Sequence, residues 1–177
     1  MALLLDIRSA RFFWPPLIAV VLSDVVTKAI AVSRLAPAHV PRPVLGDAVR
    51  LTLLYNPGAA FGLNVGSPSR WVFVGLALGA LVLMWRLYRH TATSQVVRLL
   101  ALGTVSGGAV ANAVNRIWSA RGVVDFIDIG TGQARWPAFN LADIAISVGA
   151  VLLTLALWRE DAARADSRAS QSGRRQA

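Results

Sequence analysis

Long apolar runs separated by short polar connectors dominate this chain. A helix needs about 20 apolar residues to cross a bilayer, and four of the runs reach that length. The pattern predicts spans at about 12–32, 70–89, 95–118 and 139–158. Because four spans and their connectors use nearly the whole sequence, we expect a single membrane domain over residues 1–177. The predicted fold is an all-α bundle of four transmembrane helices.

The connectors predict a small β-containing region on one side of the membrane. The outer loops would cover residues 33–69 and 119–138. Within the first loop, residues 49–55 alternate imperfectly between apolar and polar and predict a short strand. The run Asn56-Pro57-Gly58 that follows is a turn signal. After the last span, residues 160–177 are polar and basic, and this composition predicts a disordered tail.

Small residues at helical spacing indicate where the spans could pack closely. Gly75 and Gly79 are four residues apart in the second span. Gly103, Gly107 and Ala111 repeat the spacing in the third. Because small side chains let two helix backbones approach closely in a membrane, we expect both spans to have helix neighbours on these faces.

The composition supports a membrane protein and excludes several kinds of site. The chain is 55% hydrophobic, with a mean hydropathy of +0.55. Its net charge of +9 fits arginines that cluster before the first span, between the second and third, and after the fourth. By the positive-inside rule, this distribution predicts that both termini lie in the cytoplasm. Because membrane orientation already accounts for the basic residues, we expect no nucleic-acid partner. With no cysteine there is no thiolate site, and the spacing of polar residues predicts no metal site.

Two aspartates at the outer rim of the predicted bundle are the main candidates for chemistry. Asp125 lies in the second outer loop, and Asp143 lies at the start of the fourth span. Ionised carboxylates are costly near hydrocarbon and are rarely placed there without a function. One protonated and one ionised carboxyl can together activate water. The pair therefore suggests an aspartyl-type peptidase that works at the membrane surface.

Structural roles for the same residues remain open from the sequence alone. Asp143 could cap the fourth span together with Asn140, since an acidic first turn suits the helix dipole. Asp125 could face water or pair with Arg121 or Arg116. Asp128 is close enough in sequence to compete for any role given to Asp125.

The polar residues within the spans are equally open to two interpretations. Asp24 and Lys28 are four residues apart and can form a structural ion pair or part of a proton relay. Asn112 and Arg116 could join helices or could hold a substrate or a carboxylate. A small proton- or ion-coupled transporter is therefore an alternative function. A scaffold without chemistry, in which the polar residues only join helices, is a third.

Four ordered motifs resemble one known family, the lipoprotein signal peptidases, also called signal peptidase II. The resemblance covers about residues 20–150. Single motifs of this kind are weak, but four in order on four spans are specific. The motifs are Asp24–Lys28, Asn56–Gly62, Asn112–Phe126 and Phe139–Asp143.

The resemblance implies an aspartyl endopeptidase of the bacterial inner membrane that needs no cofactor. Such enzymes remove the signal peptide from diacylglyceryl-modified prolipoproteins by cutting just before the lipidated cysteine, near the extracytoplasmic face, and the cyclic peptide globomycin inhibits them. We expect a monomer in contact with membrane lipid. By motif position, Asp125 and Asp143 would be catalytic. The residues that would bind substrate or support the dyad are Asn56, Gly58, Asn112, Arg116 and Asn140.

One position departs from the pattern of the family. The family usually has an aspartate where this chain has Asn115, directly before Arg116. The asparagine keeps hydrogen-bonding capacity but has no charge. The partner of the Arg116 guanidinium is therefore the uncertain point in the resemblance.

Overall fold

A computed structural model describes residues 7–58 and 69–176, with side chains up to residue 163. Residues 59–62, the end of the second motif, lie outside the described part. The helices and strands in chain order are α1 (Ile7–Leu35), β1 (Arg42–Leu45), β2 (Val49–Asn56), α2 (Ser69–Arg89), α3 (Val96–Trp118), β3 (Val123–Thr131), β4 (Ala134–Arg135) and α4 (Leu141–Gln176).

The four predicted spans are confirmed as four helices that are long and apolar enough to cross a membrane. α3 is the central helix, because 61% of its most apolar window is buried, against 17–22% for the other three. The outward faces of the other helices are apolar, as Leu22, Leu76 and Val151 show with exposures of about 60%. Such faces suit contact with lipid chains rather than water.

Glycines on α3 allow the neighbouring helices to approach its backbone, as their spacing predicted. A Cβ atom on Gly103 would overlap the Phe13 carbonyl oxygen of α1, and one on Gly107 would also strike α1. A Cβ atom on Gly108 would lie 2.5 Å from the Ala142 carbonyl oxygen of α4. The first turn of α4 can therefore lie close to α3 because Gly108 has no side chain.

The corresponding prediction for the second span is wrong. A Cβ atom on Gly75 or Gly79 would meet nothing within 4 Å among the described residues. α2 lies at the edge of the bundle, and its glycine face points away from the helices described here. Small residues at this spacing permit close packing, but they do not by themselves supply a neighbour.

A four-stranded antiparallel sheet in the order β1-β2-β3-β4 lies at one end of the bundle. The strand predicted at 49–55 is confirmed as β2, whereas β3 lies in a segment that was predicted only as a connector. Gly122 precedes β3 with a φ of +98°, and a Cβ atom there would collide with the backbone of Asn56. Glycine is needed at this point because both the conformation and the contact exclude other residues.

Apolar packing fixes the sheet to the end of α1. Ala31 and Leu35 of α1 form a buried cluster with Leu53 of β2 and Val124 of β3. Because Val124 and Asp125 are neighbours on a strand, their side chains point to opposite faces of the sheet. Burial of Val124 against α1 therefore fixes the direction in which Asp125 projects.

α4 extends past the predicted span to Gln176, whereas polar composition predicted disorder for residues 160–177. Residues 160–172 contain no proline or glycine, and alanine is their most frequent residue. Alanine has the highest helix propensity. A helix that has already started needs no new nucleation, so such a sequence extends it.

The contact between α3 and α4 leads to a stability prediction. We expect Gly108→Ala to lower the free energy of unfolding by about 1–3 kcal/mol, because the methyl group overpacks the contact with α4. The matched control is Gly75→Ala, where space is open, and it should be neutral or stabilising by up to about 1 kcal/mol because alanine has the higher helix propensity. Thermal unfolding of both variants in detergent measures the difference, and equal effects would contradict the packing described here.

Candidate active site

Asp125 lies on β3 and is almost completely buried, with 3% of its surface exposed. The antiparallel register pairs β3 with β2, so that Asp125 lies opposite Leu54 and close to Asn56. The side-chain amide of Asn56 donates to Asp125 Oδ2 at 3.2 Å. The sheet thus supplies both the carboxyl and one of its hydrogen-bond donors.

Asp143 lies in the first turn of α4, where it forms a reciprocal cap with Asn140. The Asp143 amide donates to Asn140 Oδ1 at 3.1 Å, and the Asn140 amide donates to Asp143 Oδ2 at 3.1 Å. This arrangement satisfies two backbone N–H groups that the helix leaves without partners. The predicted capping role is present, and it leaves Asp143 Oδ1 available for other contacts.

Backbone hydrogen bonds around Phe139 bring the start of α4 to β3. The amides of Phe126 and Ile127 both donate to the Phe139 carbonyl oxygen, and the Phe139 amide returns a bond to Ile127. The residue after Phe139 is Asn140, which is fully buried. The cap of α4 is therefore fixed directly beside Asp125.

Carboxamides connect the two aspartates. Asn140 Nδ2 donates to Asp125 Oδ1 at 2.6 Å, and Asn112 Nδ2, from α3, donates to Asp143 Oδ1 at 2.8 Å. The two amides also contact each other at 3.3 Å. Residues that are far apart in sequence thus form one polar cluster in which both carboxyls accept hydrogen bonds from side-chain amides.

Both aspartates open onto one cleft of about 360 Å³. Arg116 lines it too, with its guanidinium 5.4 Å from the centre of the Phe73 ring and Nη1 3.4 Å from the Asn112 carbonyl oxygen. Three residues that were not predicted as site residues also line the cleft: Trp136, Ile146 and Ser147. Helical periodicity was the available signal for the last two, because they follow Asp143 by three and four residues.

The environment of Asp125 favours its protonated form. Burial, and to a smaller extent the charge of Asp143, raises the pKa of Asp125 from 3.8 to about 6. The hydrogen bonds from Asn140 and Asn56 and the charge of Lys28 act in the opposite direction. A carboxyl with a pKa of this size exchanges its proton close to neutral pH, which suits acid–base chemistry.

Asp128, the sequence competitor of Asp125, has partners elsewhere in the sheet. Its carboxylate accepts from Thr52 Oγ1 at 3.0 Å and from Arg135 Nε at 2.5 Å. Asp128 does not line the cleft that contains the two aspartates. Arg121, which was considered as a partner for Asp125, lies over the Tyr55 ring at 4.3 Å.

Asp24 and Lys28 form a buried ion pair on α1, directly behind the cleft. The ammonium lies 2.7 Å from Asp24 Oδ2, and the two side chains are 1% and 7% exposed. Asp24 Oδ1 also accepts a hydrogen bond from the Ala142 amide at 3.0 Å, while Lys28 donates to Asn112 Oδ1 at 2.9 Å. The pair therefore joins α1 to α3 and to the first turn of α4.

Gly58 closes the turn after β2. Its amide donates to Asn56 Oδ1 at 3.1 Å, and its φ is +122°. This hydrogen bond fixes the amide orientation of Asn56 next to Asp125. The residues that follow in the predicted covering loop, 59–68, lie outside the described part of the chain.

Comparison with known protein families gives a direct match. The family model described as signal peptidase (SPase) II matches residues 17–159. The chain belongs to the signal peptidase II family. The matched region begins in α1 and ends in α4, so it contains the whole polar cluster described above.

Proteins named lipoprotein signal peptidase are among the similar sequences. One from Cupriavidus taiwanensis is 47% identical over 116 residues, which is 63% of this chain and 63% of the relative. One from Burkholderia mallei is 42% identical over 137 residues, 76% of this chain and 80% of the relative. The match thus spans slightly less than two thirds of the Cupriavidus protein and four fifths of the Burkholderia protein.

Two solved structures share the fold, both described as bacterial membrane enzymes solved by the in meso method. The one at 2.3 Å superposes with a TM-score of 0.71 and 26% identity, covering 82% of this chain and 87% of the other. The one at 1.9 Å gives a TM-score of 0.69, also with 26% identity, covering 80% and 89%.

The contacts of Asn115 give the departure from the family motif a physical interpretation. Asn115 Oδ1 accepts a hydrogen bond from the Val124 amide at 2.9 Å, which ties the end of α3 to the start of β3. A carboxylate at this position could accept the same bond. The neighbouring Arg116 contacts Asn112 and Phe73, and its buried Nε has no hydrogen-bond partner among the described residues.

The Asn115 contact predicts a difference between two substitutions. We expect Asn115→Asp to keep the bond to Val124 and to change the thermal stability little. Asn115→Leu should lower the free energy of unfolding by about 1–3 kcal/mol, because it leaves a largely buried amide without its acceptor. Thermal unfolding in detergent distinguishes the two, and a leucine variant as stable as the aspartate variant would contradict this role.

The raised pKa of Asp125 predicts a pH-dependent effect on stability. The folded state holds this proton more tightly than the unfolded chain, so the stabilisation is complete below about pH 4 and is lost as the pH rises through about 6. Asp125→Asn removes that loss. The variant should gain up to about 3 kcal/mol relative to the wild type between pH 4 and pH 8.

Thermal unfolding of the wild type and of Asp125→Asn across this pH range tests the prediction. The matched control is Asp128→Asn, which removes a carboxylate from the same strand outside the cleft. If Asp125→Asn changes the free energy of unfolding by the same amount at pH 8 and at pH 4, the pKa of Asp125 is not raised in the folded protein.

Proposed function

We propose that this protein is a membrane aspartyl endopeptidase that removes signal peptides from diacylglyceryl-modified prolipoproteins, cutting just before the lipidated cysteine. One observation carries the proposal: a strand and a helix N-terminus each bring an aspartate to one cleft at the end of four apolar helices. Membership of the signal peptidase II family supports the same activity. Similar proteins carry the name lipoprotein signal peptidase.

The proposed mechanism divides two tasks between Asp125 and Asp143. Two neighbouring carboxyls do not both ionise cheaply, so the pair shares a proton. The ionised carboxylate takes a proton from water, which attacks the scissile carbonyl carbon, while the protonated carboxyl hydrogen-bonds to the carbonyl oxygen. The tetrahedral intermediate then collapses when the leaving nitrogen receives a proton from the pair.

The surroundings of the dyad suit a substrate that is partly in lipid. The cleft wall combines apolar residues such as Trp136 and Ile146 with the Arg116 guanidinium. The apolar part would contact the signal peptide or an acyl chain, and the guanidinium would donate hydrogen bonds to a carbonyl or phosphate oxygen. Asn56, Asn112 and Asn140 would hold the dyad.

The membrane orientation follows from the charge pattern. Arginines before α1, between α2 and α3, and after α4 support cytoplasmic termini by the positive-inside rule. The sheet and the dyad are then extracytoplasmic, where an exported prolipoprotein presents its cleavage site. We further expect a monomer, and we expect globomycin-type cyclic peptides to compete for the cleft.

The transporter alternative finds no support in the comparisons, which identify a peptidase family. The polar residues on the spans also form hydrogen bonds with each other and with the start of α4, as the Lys28–Asn112 and Asp24–Ala142 contacts show. The scaffold interpretation makes a different prediction, because it assigns no chemistry to either aspartate.

Cleavage of a synthetic diacylglyceryl prolipoprotein peptide by the purified protein tests the proposal. We expect Asp125→Asn and Asp143→Asn each to reduce kcat by at least about 1,000-fold, because an amide cannot exchange the required proton. The matched control, Asp128→Asn, keeps an acceptor for Thr52 and should retain activity within about threefold. Thermal unfolding confirms that all three variants are folded.

The outcomes separate the hypotheses. Loss of cleavage in the two dyad variants alone supports the peptidase mechanism, and inhibition of the wild type by globomycin would support the assignment of the cleft. An inactive wild type, or cleavage by a dyad variant at near the wild-type rate, would overturn the proposal. Loss of activity in Asp128→Asn with activity retained in Asp125→Asn would instead transfer the role to Asp128.

A further inference from the structure

Three asparagines surround the dyad, and each turns its donor nitrogen toward a carboxyl oxygen. Asn56 and Asn140 donate to Asp125, and Asn112 donates to Asp143. A carboxamide rotated by half a turn would present its oxygen instead and would repel an ionised carboxylate. The orientation of each amide therefore decides whether the site stabilises negative charge.

Backbone N–H groups fix the orientation of two of these amides. Asn56 Oδ1 accepts from the Gly58 amide, and Asn140 Oδ1 accepts from the Asp143 amide, each at 3.1 Å. A backbone N–H can only donate, so it holds the amide oxygen on its own side and leaves the NH₂ group facing the dyad.

Asn112 lies within α3, where backbone N–H groups are used by the helix itself. Its oxygen accepts instead from Lys28 Nζ at 2.9 Å, with a longer contact of 3.3 Å from Asn140. An ammonium group also carries only donors. Lys28 thus donates to the side-chain oxygen of Asn112, as backbone N–H groups do to the side-chain oxygens of Asn56 and Asn140.

We propose that Lys28 is a positioning residue of the dyad, which binds the Asn112 carboxamide oxygen and so keeps the NH₂ group of Asn112 on Asp143. This inference rests on the proposed peptidase function and deepens it. It assigns to the buried pair on α1 a role in the geometry of the site, in addition to the joining of helices.

Asp24 fixes the position of the ammonium. It lies 2.7 Å from Lys28 Nζ and is itself held by the Ala142 amide in the first turn of α4. Both side chains are buried, so Lys28 has little freedom to leave Asn112. The charged groups that face the dyad from the helices around it are Asp24 and Lys28 on α1 and Arg116 on α3.

A simple replacement of Lys28 would leave Asp24 buried without a countercharge and could unfold the protein. The test therefore compares two double variants that are both neutral: Asp24→Asn with Lys28→Met, and Asp24→Asn with Lys28→Gln. The two differ mainly in whether a donor remains for the Asn112 oxygen. Thermal unfolding, kcat, KM and the pH–rate profile are measured for both.

We expect the methionine variant to fold and to lose about 10- to 100-fold in kcat with little change in KM, as supporting residues of active sites typically do. Its pH–rate profile should move to higher pH, because the NH₂ group of Asn112 is no longer held on Asp143 and the dyad loses a donor. The glutamine variant should recover most of the kcat. A methionine variant with wild-type kcat and profile, or equal losses in both variants, would overturn the proposal.

Asn112→Asp keeps the Asp24–Lys28 pair intact and therefore tests the same idea if the double variants do not fold. An aspartate at this position keeps an acceptor for Lys28 but removes the donor from Asp143. We expect a loss in kcat of about 100-fold, together with a lower thermal stability at neutral pH, because the new carboxylate lies against that of Asp143. Retention of kcat within about threefold would show that the orientation of this amide does not matter.

A readout without substrate separates this inference from the proposed function. Infrared spectroscopy follows protonation of buried carboxyls, and the signal that Asp125→Asn removes should titrate at higher pH in the methionine variant than in the glutamine variant. If the wild type does not cleave the peptide but the two variants titrate at different pH, the proposed peptidase function is wrong and the role of Lys28 stands. If the wild type cleaves but the two variants titrate at the same pH, the role of Lys28 is wrong and the peptidase function stands.

Discussion

Hydrogen bonds from β3 to the Phe139 carbonyl oxygen are the constraint on which the site depends. Asp125 belongs to a sheet, Asp143 belongs to a membrane helix, and no covalent or local feature places them together. The bonds from Phe126 and Ile127 fix the residue before the cap of α4 against the strand that carries Asp125. Once Phe139 is held there, Asn140 reaches Asp125 and caps α4 at the same time.

Placement of two carboxyls together at the edge of a membrane domain requires compensation for the lost hydration. Amide groups supply it, with donors from Asn56, Asn112 and Asn140 directed at the two side chains. Amides compensate without adding charge, which fits the proposed sharing of a proton by the pair. The ammonium of Lys28 lies behind Asn112 and donates to its side-chain oxygen.

Close approach of the helix backbones determines how near these groups can come. α3 carries Asn112 on a segment rich in glycine and alanine, so α1 and α4 both approach its backbone. Larger residues at Gly107 or Gly108 would move Lys28 or the α4 cap away from Asn112. The small residues of α3 and the polar cluster therefore belong to one arrangement. Helix packing sets the distances at which the polar side chains form their hydrogen bonds.

The sequence predicted the features that depend on local patterns. Four apolar runs gave four helices, Asn140 and Asp143 had the spacing of a helix cap, and the alternation at 49–55 gave β2. It did not predict β3, because the strand is defined by pairing with a distant partner. Nor could it separate Asp125 from Asp128, since the choice depends on which face of β3 packs against α1 and which residues lie beside the other face.

The errors have the same origin. Gly75 and Gly79 match the small-residue pattern, but the pattern contains no information on where a neighbouring helix lies. The polar tail has the composition of a disordered segment, yet it continues a helix that is already formed. The contact between Lys28 and Asn112 could not be predicted either, because it joins two helices. The sequence indicated only that Asp24 lies one helical turn from Lys28.

Infrared titration of the wild type against Asp125→Asn is the measurement to make first, because the proposed mechanism needs a carboxyl at Asp125 that keeps its proton close to neutral pH. We expect a protonated carboxyl at pH 5 that ionises near pH 6 and is absent from the variant. Two carboxyls that are both ionised throughout this range, or a titrating signal that persists in Asp125→Asn, would contradict it.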